Sequence, residues 1–263
     1  MRRALAPAKI NLTLHVTGRR ADGYHLLDSL VAFADCGDVL TLTDGDTLSV
    51  TGPFADGVPA DETNLIRRAL ALAAAPKAVT LEKRLPHPGG IGGGSSDAAA
   101  ALRLAEAALT TDQLLTLGAD LPICTLARAA TMRGIGEAVA PVPMPVLHAV
   151  LIHPGAHLPT PQVFQGLARS DNPPMAPLPI SPDPADWRSW IAGHRNDLEP
   201  PAIAAAPIVA DVLATLRAAG AEVARMSGSG ATCFGLWPSR VAAEAAARAL
   251  TRHGWWVQAT SLA

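Results

Sequence analysis

Positions 86 to 97 read Pro86-His87-Pro88-Gly89-Gly90-Ile91-Gly92-Gly93-Gly94-Ser95-Ser96-Asp97, with five glycines and two prolines in the first nine residues. That composition excludes a regular element, so the stretch is a loop. Before it, Val79 to Leu85 alternates as a strand does; after it, Ala98 to Leu109 is an Ala- and Leu-rich helical run. Ser95, Ser96 and Asp97 are N-cap residue types, so the helix is expected to start behind them. In a strand, glycine loop and capped helix, glycines let the backbone approach a ligand closely. Free N–H groups and the helix dipole then favour an anion, phosphate above all. The Lys of the G-x-x-x-x-G-K-[ST] pattern is absent, so this is not that phosphate loop. A flexible turn is the competing reading.

Outward from this loop, Lys9 to Val16 alternates Ile10, Leu12, Leu14 and Val16 with Lys9, Asn11, Thr13 and His15. A half-buried strand is expected there, with Lys9 and Asn11 on one face. Leu26 to Ala34 reads as a second strand, and Val39–Thr43 and Thr47–Thr51 as a hairpin about an Asp-Gly-Asp turn. Asn64 to Ala75 and Thr110 to Leu117 have helical spacing, whereas Leu121–Leu126 and Val146–His153 look like buried strands. Six prolines between Asn172 and Asp186 mark an irregular surface connection. The remainder reads as helix Pro201–Ala219, strand Glu222–Met226, strand Ala231–Trp237, helix Val241–His253 and strand Trp255–Thr260. The expected architecture is α+β in two domains, 1–145 and 146–263, divided near Pro141 to Pro145.

The chain has 263 residues, 49% hydrophobic and 17% charged, enough to bury a substantial core and too apolar for disorder. A net charge of −2 supplies no broad basic field, which disfavours nucleic acid as a partner. Cys36, Cys124 and Cys233 form no C-x-x-C pair and leave one over, as fits a reducing compartment and a cytoplasmic protein. Polar residues interrupt the N-terminal apolar stretch, and no run reaches about 18 apolar residues, so neither a signal peptide nor a membrane span is expected. Of the 21 basic residues only Lys9, Lys77 and Lys83 are lysines, so each lysine merits separate attention.

Several residues could carry chemistry, each with a plainer alternative. Asp120 is a lone carboxylate in Leu117-Gly118-Ala119-Asp120-Leu121-Pro122. Burial without purpose would cost several kcal/mol, so it is either a helix cap or a working group. Lys9 is a catalytic cation or a solvated strand residue. Tyr24, the one tyrosine of the chain, precedes His25 in a turn, either to stack on a base or merely to stand exposed. Ser227-Gly228-Ser229-Gly230 is a second glycine loop, closing on phosphate or forming a simple hairpin. No histidine spacing suggests a metal site, and none is expected.

Taken in order, Pro7-Ala8-Lys9-Ile10-Asn11-Leu12, Arg20-Ala21-Asp22-Gly23-Tyr24-His25, Pro88 to Ala98, Leu117 to Pro122, Asn196-Asp197-Leu198-Glu199 and Ser227 to Gly230 resemble the motifs of the GHMP kinases over nearly the whole chain. The glycine loops are shared across that family. The Lys-Ile-Asn-Leu, Asp-Gly-Tyr-His and Gly-Ala-Asp-Leu-Pro segments resemble those members whose acceptor is 4-diphosphocytidyl-2-C-methyl-D-erythritol. The resemblance implies a ribosomal protein S5 domain 2-like N-terminal domain, a ferredoxin-like C-terminal domain and an active site in the cleft between them. It further implies an ATP-dependent kinase, with Mg²⁺, that phosphorylates the 2-hydroxyl of that acceptor in the non-mevalonate route to isoprenoid precursors.

By the same resemblance Lys9 and Asp120 are the catalytic pair. Pro86, His87, Pro88, Gly89, Gly90, Ile91, Gly92, Gly93, Gly94, Ser95 and Ser96 form the ATP-phosphate loop. Asn11, Tyr24, His25 and Phe164 lie on the substrate side, Phe164 and Tyr24 sandwiching the cytosine. The implied partner is this small molecule, not nucleic acid or membrane, and the implied state a monomer or homodimer. A homoserine or mevalonate kinase would share both glycine loops without needing an aromatic clamp, and the same N-terminal fold type occurs in RNA-binding proteins.

Overall fold

A computed structural model describes residues 1–251 and 254–263. Its first alternating stretch forms two strands, β1 (Arg2–Asn11) and β2 (His15–Arg19). Between them the N–H groups of Leu12 and Thr13 both reach the Leu30 carbonyl, at 2.8 and 3.4 Å, and the Arg225 guanidinium takes the Leu12 carbonyl at 3.0 Å. The single half-buried strand expected over Lys9–Val16 is therefore broken, and all eight of its residues are buried. Its polar face finds hydrogen-bond partners inside the protein instead of water.

The spine of the molecule is β3 (His25–Thr43), 19 residues long, where the pattern suggests two separate strands. β1 pairs antiparallel with it from Arg2↔Leu42 to Asn11↔Val31. β4 (Leu48–Thr51) does not fold back on β3 as the expected hairpin. It pairs in parallel with β5 (Ala78–Glu82), because β1 and β5 already flank Val39–Thr43 on its two edges. Between β4 and β5, α1 (Leu65–Leu72) starts at Asn64, whose side chain accepts the Ile66 N–H at 2.9 Å.

After the glycine loop come α2 (Gly93–Ala105) and α3 (Thr111–Leu117), the latter opened by a reciprocal Thr110–Gln113 capping box. Leu121–Leu126 is a helix, α4, and not the strand expected. A six-residue apolar run fits either element. Pro122, whose missing N–H costs nothing in a first helical turn, and packing of Leu121, Ile123 and Cys124 against the alanine face of α2 decide for helix. β6 (Ala130–Gly134) then pairs with β3 and with β7 (Ala138–Pro141).

The rest of the chain holds β8 (Leu147–His153), α5 (Thr160–Gln165), α6 (Pro184–Ala192), α7 (Glu199–Ala205), α8 (Ile208–Ala218), β9 (Val223–Met226), β10 (Cys233–Trp237), α9 (Arg240–Leu250) and β11 (Trp256–Leu262). The helix expected over Pro201–Ala219 is thus two, bent by 120°. Ala206 is extended because it precedes Pro207, and a residue before proline avoids the helical region. Of the helix expected to His253, Arg252 and His253 lie outside the described residues. No single helix among the described residues is long and apolar enough to cross a membrane.

Residues 172–183 form an extended strap tied along its length. The Asn172 N–H donates to the Val16 carbonyl at 3.1 Å, the Met175 N–H to Asp28 at 3.0 Å, and the Trp190 indole to the Pro177 carbonyl at 2.9 Å. Met175 and Trp187 reach the core beside Ile10 and Leu12. The sheets of the two halves join where Leu262 of β11 faces Ala34 of β3 and Phe33 exchanges backbone bonds with Ala263 at 2.9 and 3.0 Å. We propose that the two domains divide at 145, in the connection between β7 and β8.

Candidate active site

A cleft of ≈ 830 Å³ opens at this junction. Lys9 and Asn11 enter it from the end of β1, Tyr24 and His25 from the start of β3, Asp120 from the head of α4 and Phe164 from α5. Pro86 to Gly90 and Gly92 to Ser95 line it, with Gly228 and Ser229 of the second glycine loop. Of the eleven loop residues expected at ATP, Ile91 and Ser96 turn away. Ile91 is buried in the core, and the Ser96 hydroxyl lies 3.5 Å from the Cys124 sulfur.

The helix behind the loop begins earlier than its caps suggest. α2 starts at Gly93 with Gly92 as its N-cap, so Ser95, Ser96 and Asp97 sit inside the helix and cap nothing. Gly92 takes the left-handed conformation, φ +62°, which a residue without Cβ adopts at little cost. The loop also needs glycine for space. At Gly90, φ +69°, a Cβ would stand 2.5 Å from the Gly230 carbonyl oxygen and 2.8 Å from that of Ser227. The two glycine loops therefore meet backbone to backbone. The Ser227 hydroxyl donates to the Gly90 carbonyl at 3.2 Å and the Thr232 N–H to the Gly89 carbonyl at 3.1 Å.

Lys9 and Asp120 meet at 3.0 Å, the lysine side chain 5% exposed and the carboxylate 33%. Asp120 occupies the cap position of α4, yet among the described residues its carboxylate makes no capping bond. Of the two readings open from the sequence, the carboxylate serves the ammonium and the cleft. The Lys9 Nζ also donates to the Asn11 Oδ1 at 2.8 Å, and the Lys9 N–H to the Ile91 carbonyl at 2.9 Å, tying β1 to the glycine loop.

At the far end of the cleft the His25 ring stacks on Phe164, centroids 4.9 Å apart and planes 24° from parallel. Burial, with Arg19 nearby, holds the His25 imidazole below its ordinary value, favouring the neutral ring. Tyr24 is 60% exposed at the rim. His25 rather than Tyr24 covers Phe164.

The GHMP kinases N terminal domain matches residues 64–135, and GHMP kinases C terminal matches residues 180–254. The chain is 56% identical over 267 residues to 4-diphosphocytidyl-2-C-methyl-D-erythritol kinase of Paracoccus denitrificans (strain Pd 1222), covering 100% of this chain and 97% of that protein. It is 56% identical over 269 residues to the enzyme of the same name from Dinoroseobacter shibae (strain DSM 16493 / NCIMB 14021 / DFL 12), covering 98% and 93%. A crystal structure of 4-(cytidine 5'-diphospho)-2C-methyl-D-erythritol kinase superposes with a TM-score of 0.79 at 35% identity, covering 99% of each chain. The chain belongs to the 4-diphosphocytidyl-2-C-methyl-D-erythritol kinases of the GHMP kinase family.

In this kinase a second ion cluster underlies the glycine loop, and the motifs did not point to it. Lys83 pairs with Asp38 and, at 3.0 Å, with Asp97; all three are buried. Asp38 also accepts the N–H groups of Arg84 and Leu85 at 2.6 and 2.9 Å. Burial pushes the Asp97 carboxyl up to about 8, against the pull of Lys83 and with the push of Asp38. Burial works against the Lys83 ammonium, yet the two carboxylates outweigh it and hold Lys83 above its ordinary value. The signal available in the sequence was lysine scarcity: Lys9, Lys77 and Lys83 are all ion-paired. Asn196 of the Asn-Asp-Leu-Glu motif, quoted above without a role, acquires one in the fold. Its amide donates to the Met226 and Gly228 carbonyls, both at 2.8 Å, and so shapes the second glycine loop.

Proposed function

We infer that this kinase transfers the γ-phosphoryl group of ATP to the 2-hydroxyl of 4-diphosphocytidyl-2-C-methyl-D-erythritol, giving the 2-phosphate and ADP on the non-mevalonate route to isoprenoid precursors. The observation that carries the catalytic assignment is the Lys9–Asp120 pair, set in one cleft with the glycine loop and an aromatic end. Phosphoryl transfer needs positioning and charge neutralisation more than covalent help. The unpaired N–H groups at the head of α2 suit the ATP phosphates. Asp120 orients the acceptor hydroxyl and takes its proton late, as the bond to phosphorus forms. Lys9 holds that carboxylate in place and offsets charge developing on the transferred group.

No group of three or more His, Cys, Asp or Glu side chains among the described residues could hold a metal. Mg²⁺ is accordingly read as part of the MgATP substrate, carried on phosphate oxygens, where it neutralises charge. Asp120 and the Ser95 hydroxyl line the cleft at the head of α2 and are side-chain oxygens that would suit such an ion. The three cysteines are free, in keeping with the reducing cytoplasm as its location.

ADP release with MgATP is expected with 4-diphosphocytidyl-2-C-methyl-D-erythritol and not with homoserine, mevalonate or galactose. Turnover of one of the other three would keep the kinase and discard the acceptor. The cytosine is read to sit between Tyr24 and Phe164, with His25 on the same side of the cleft. Tyr24→Ala is then expected to weaken acceptor binding by about 1–3 kcal/mol, the scale of base stacking on an aromatic ring. Titration of the variant with each substrate checks this, and a change confined to ATP would move the cytidine elsewhere.

A further inference from the structure

The Lys9 ammonium is held between the Asp120 carboxylate and the Asn11 amide, and Asn11 alone does not settle which end of its amide faces the lysine. An ammonium has donors only, so the atom 2.8 Å from the Lys9 Nζ must be the Asn11 oxygen. The other end of the amide lies 2.8 Å from the Ser29 hydroxyl. That hydroxyl has a single hydrogen, and at 2.5 Å the Thr13 carbonyl takes it. Ser29 can therefore only accept from Asn11, so the NH₂ group must point to Ser29 and the oxygen to Lys9. Thr13 lies in the break between β1 and β2, and Ser29 faces Met132 across β3 and β6. Ser29 and Thr13 are both fully buried, so water cannot take over either bond.

We propose that Ser29 is a positioning residue of the phosphoryl transfer: through its hydroxyl it orients the Asn11 amide, and through Asn11 it holds Lys9 on Asp120. The backbone of Asn11 links the same unit to the nucleotide side, its N–H donating at 3.0 Å to the Ser227 hydroxyl that bonds Gly90. Without the Ser29 hydroxyl the amide is free to turn over and present its NH₂ group to the ammonium, donor against donor. This inference rests on the reading of Lys9 and Asp120 as the catalytic pair.

The test is a double-mutant cycle on kcat. Ser29→Ala is expected to lower kcat by roughly tenfold, the effect of a lost buried hydrogen bond, while KM for ATP stays within about twofold. In an Asp120→Asn background the same change is expected to cost less than about twofold, because the carboxylate on which Lys9 is held is already gone. Equal losses in both backgrounds mean that Ser29 is merely structural, and unchanged kcat in Ser29→Ala means that Asn11 holds itself; either overturns the proposal. Full turnover in Asp120→Asn would instead remove the base itself, and this inference with it. Should Ser29→Ala not fold, Ser29→Cys keeps the volume with a poor acceptor and is expected to show the same pattern at a smaller amplitude.

Discussion

Asp120→Asn is expected to lower kcat by at least about a hundredfold, the usual worth of a positioned base, with KM for ATP little changed. The amide keeps the shape of the side chain but can neither take the acceptor's proton nor balance the Lys9 ammonium 3.0 Å away. The ATP side should feel little of this, because the loop is shaped by glycine conformations and by bonds from Ser227 and Thr232 that the substitution leaves in place. The cap reading makes the opposite forecast. Loss of a working cap costs about 1 kcal/mol of stability and leaves chemistry alone. With no capping bond from this carboxylate among the described residues, any fall in melting temperature comes from the unpaired Lys9 ammonium and does not account for the collapse of turnover. Steady-state kinetics beside a thermal melt separates the two, and near-normal turnover would defeat the assignment.

Lys83→Met is expected to have the largest effect on stability, about 3–5 kcal/mol, the cost of breaking a buried ion pair from one side. Asp38 and Asp97 would remain in the interior facing each other without the ammonium that both now share. The pH dependence has a definite sign. The Asp97 carboxyl sits at about 8 in the folded protein against an ordinary 3.8, so between these values the folded state holds more proton than the unfolded chain. Its contribution to stability is complete below about pH 4 and is lost as pH rises toward 8. Removing Lys83 strengthens this proton demand, since burial and mutual repulsion of the carboxylates then act unopposed. The deficit of Lys83→Met relative to the unaltered protein should thus be larger at pH 8 than at pH 5. Urea unfolding at the two pH values measures it, and a deficit that grew toward acid would refute this account of the cluster.

Local chemistry was legible in the sequence wherever a few neighbouring residues decide the outcome. The glycines of 89–94 announce a loop, Asn64 and Thr110 cap the helices they precede, alternation marks the strands around Ile10 and Leu81, and apolar runs those around Leu30 and Val150. The motifs likewise brought Lys9, Asn11, Tyr24, His25, Asp120 and Phe164 to notice, and all six line one cleft. What the chain could not show locally was partnership. β4 pairs with β5 because the flanks of β3 are taken, and Leu121–Leu126 is helical because α2 offers it an alanine face. Gly92 displaces Ser95–Asp97 as the cap, which frees Asp97 to meet a lysine 14 positions earlier. Propensity and capping act within a turn or two of chain, whereas strand edges, buried charges and hydrogen-bond acceptors are matched across the whole fold. Composition and motif thus determined most of the elements and the residues that meet in the cleft. Which way the Asn11 amide faces, and which cation each buried carboxylate meets, was decided only when packing excluded water and left each group the few partners the fold supplies.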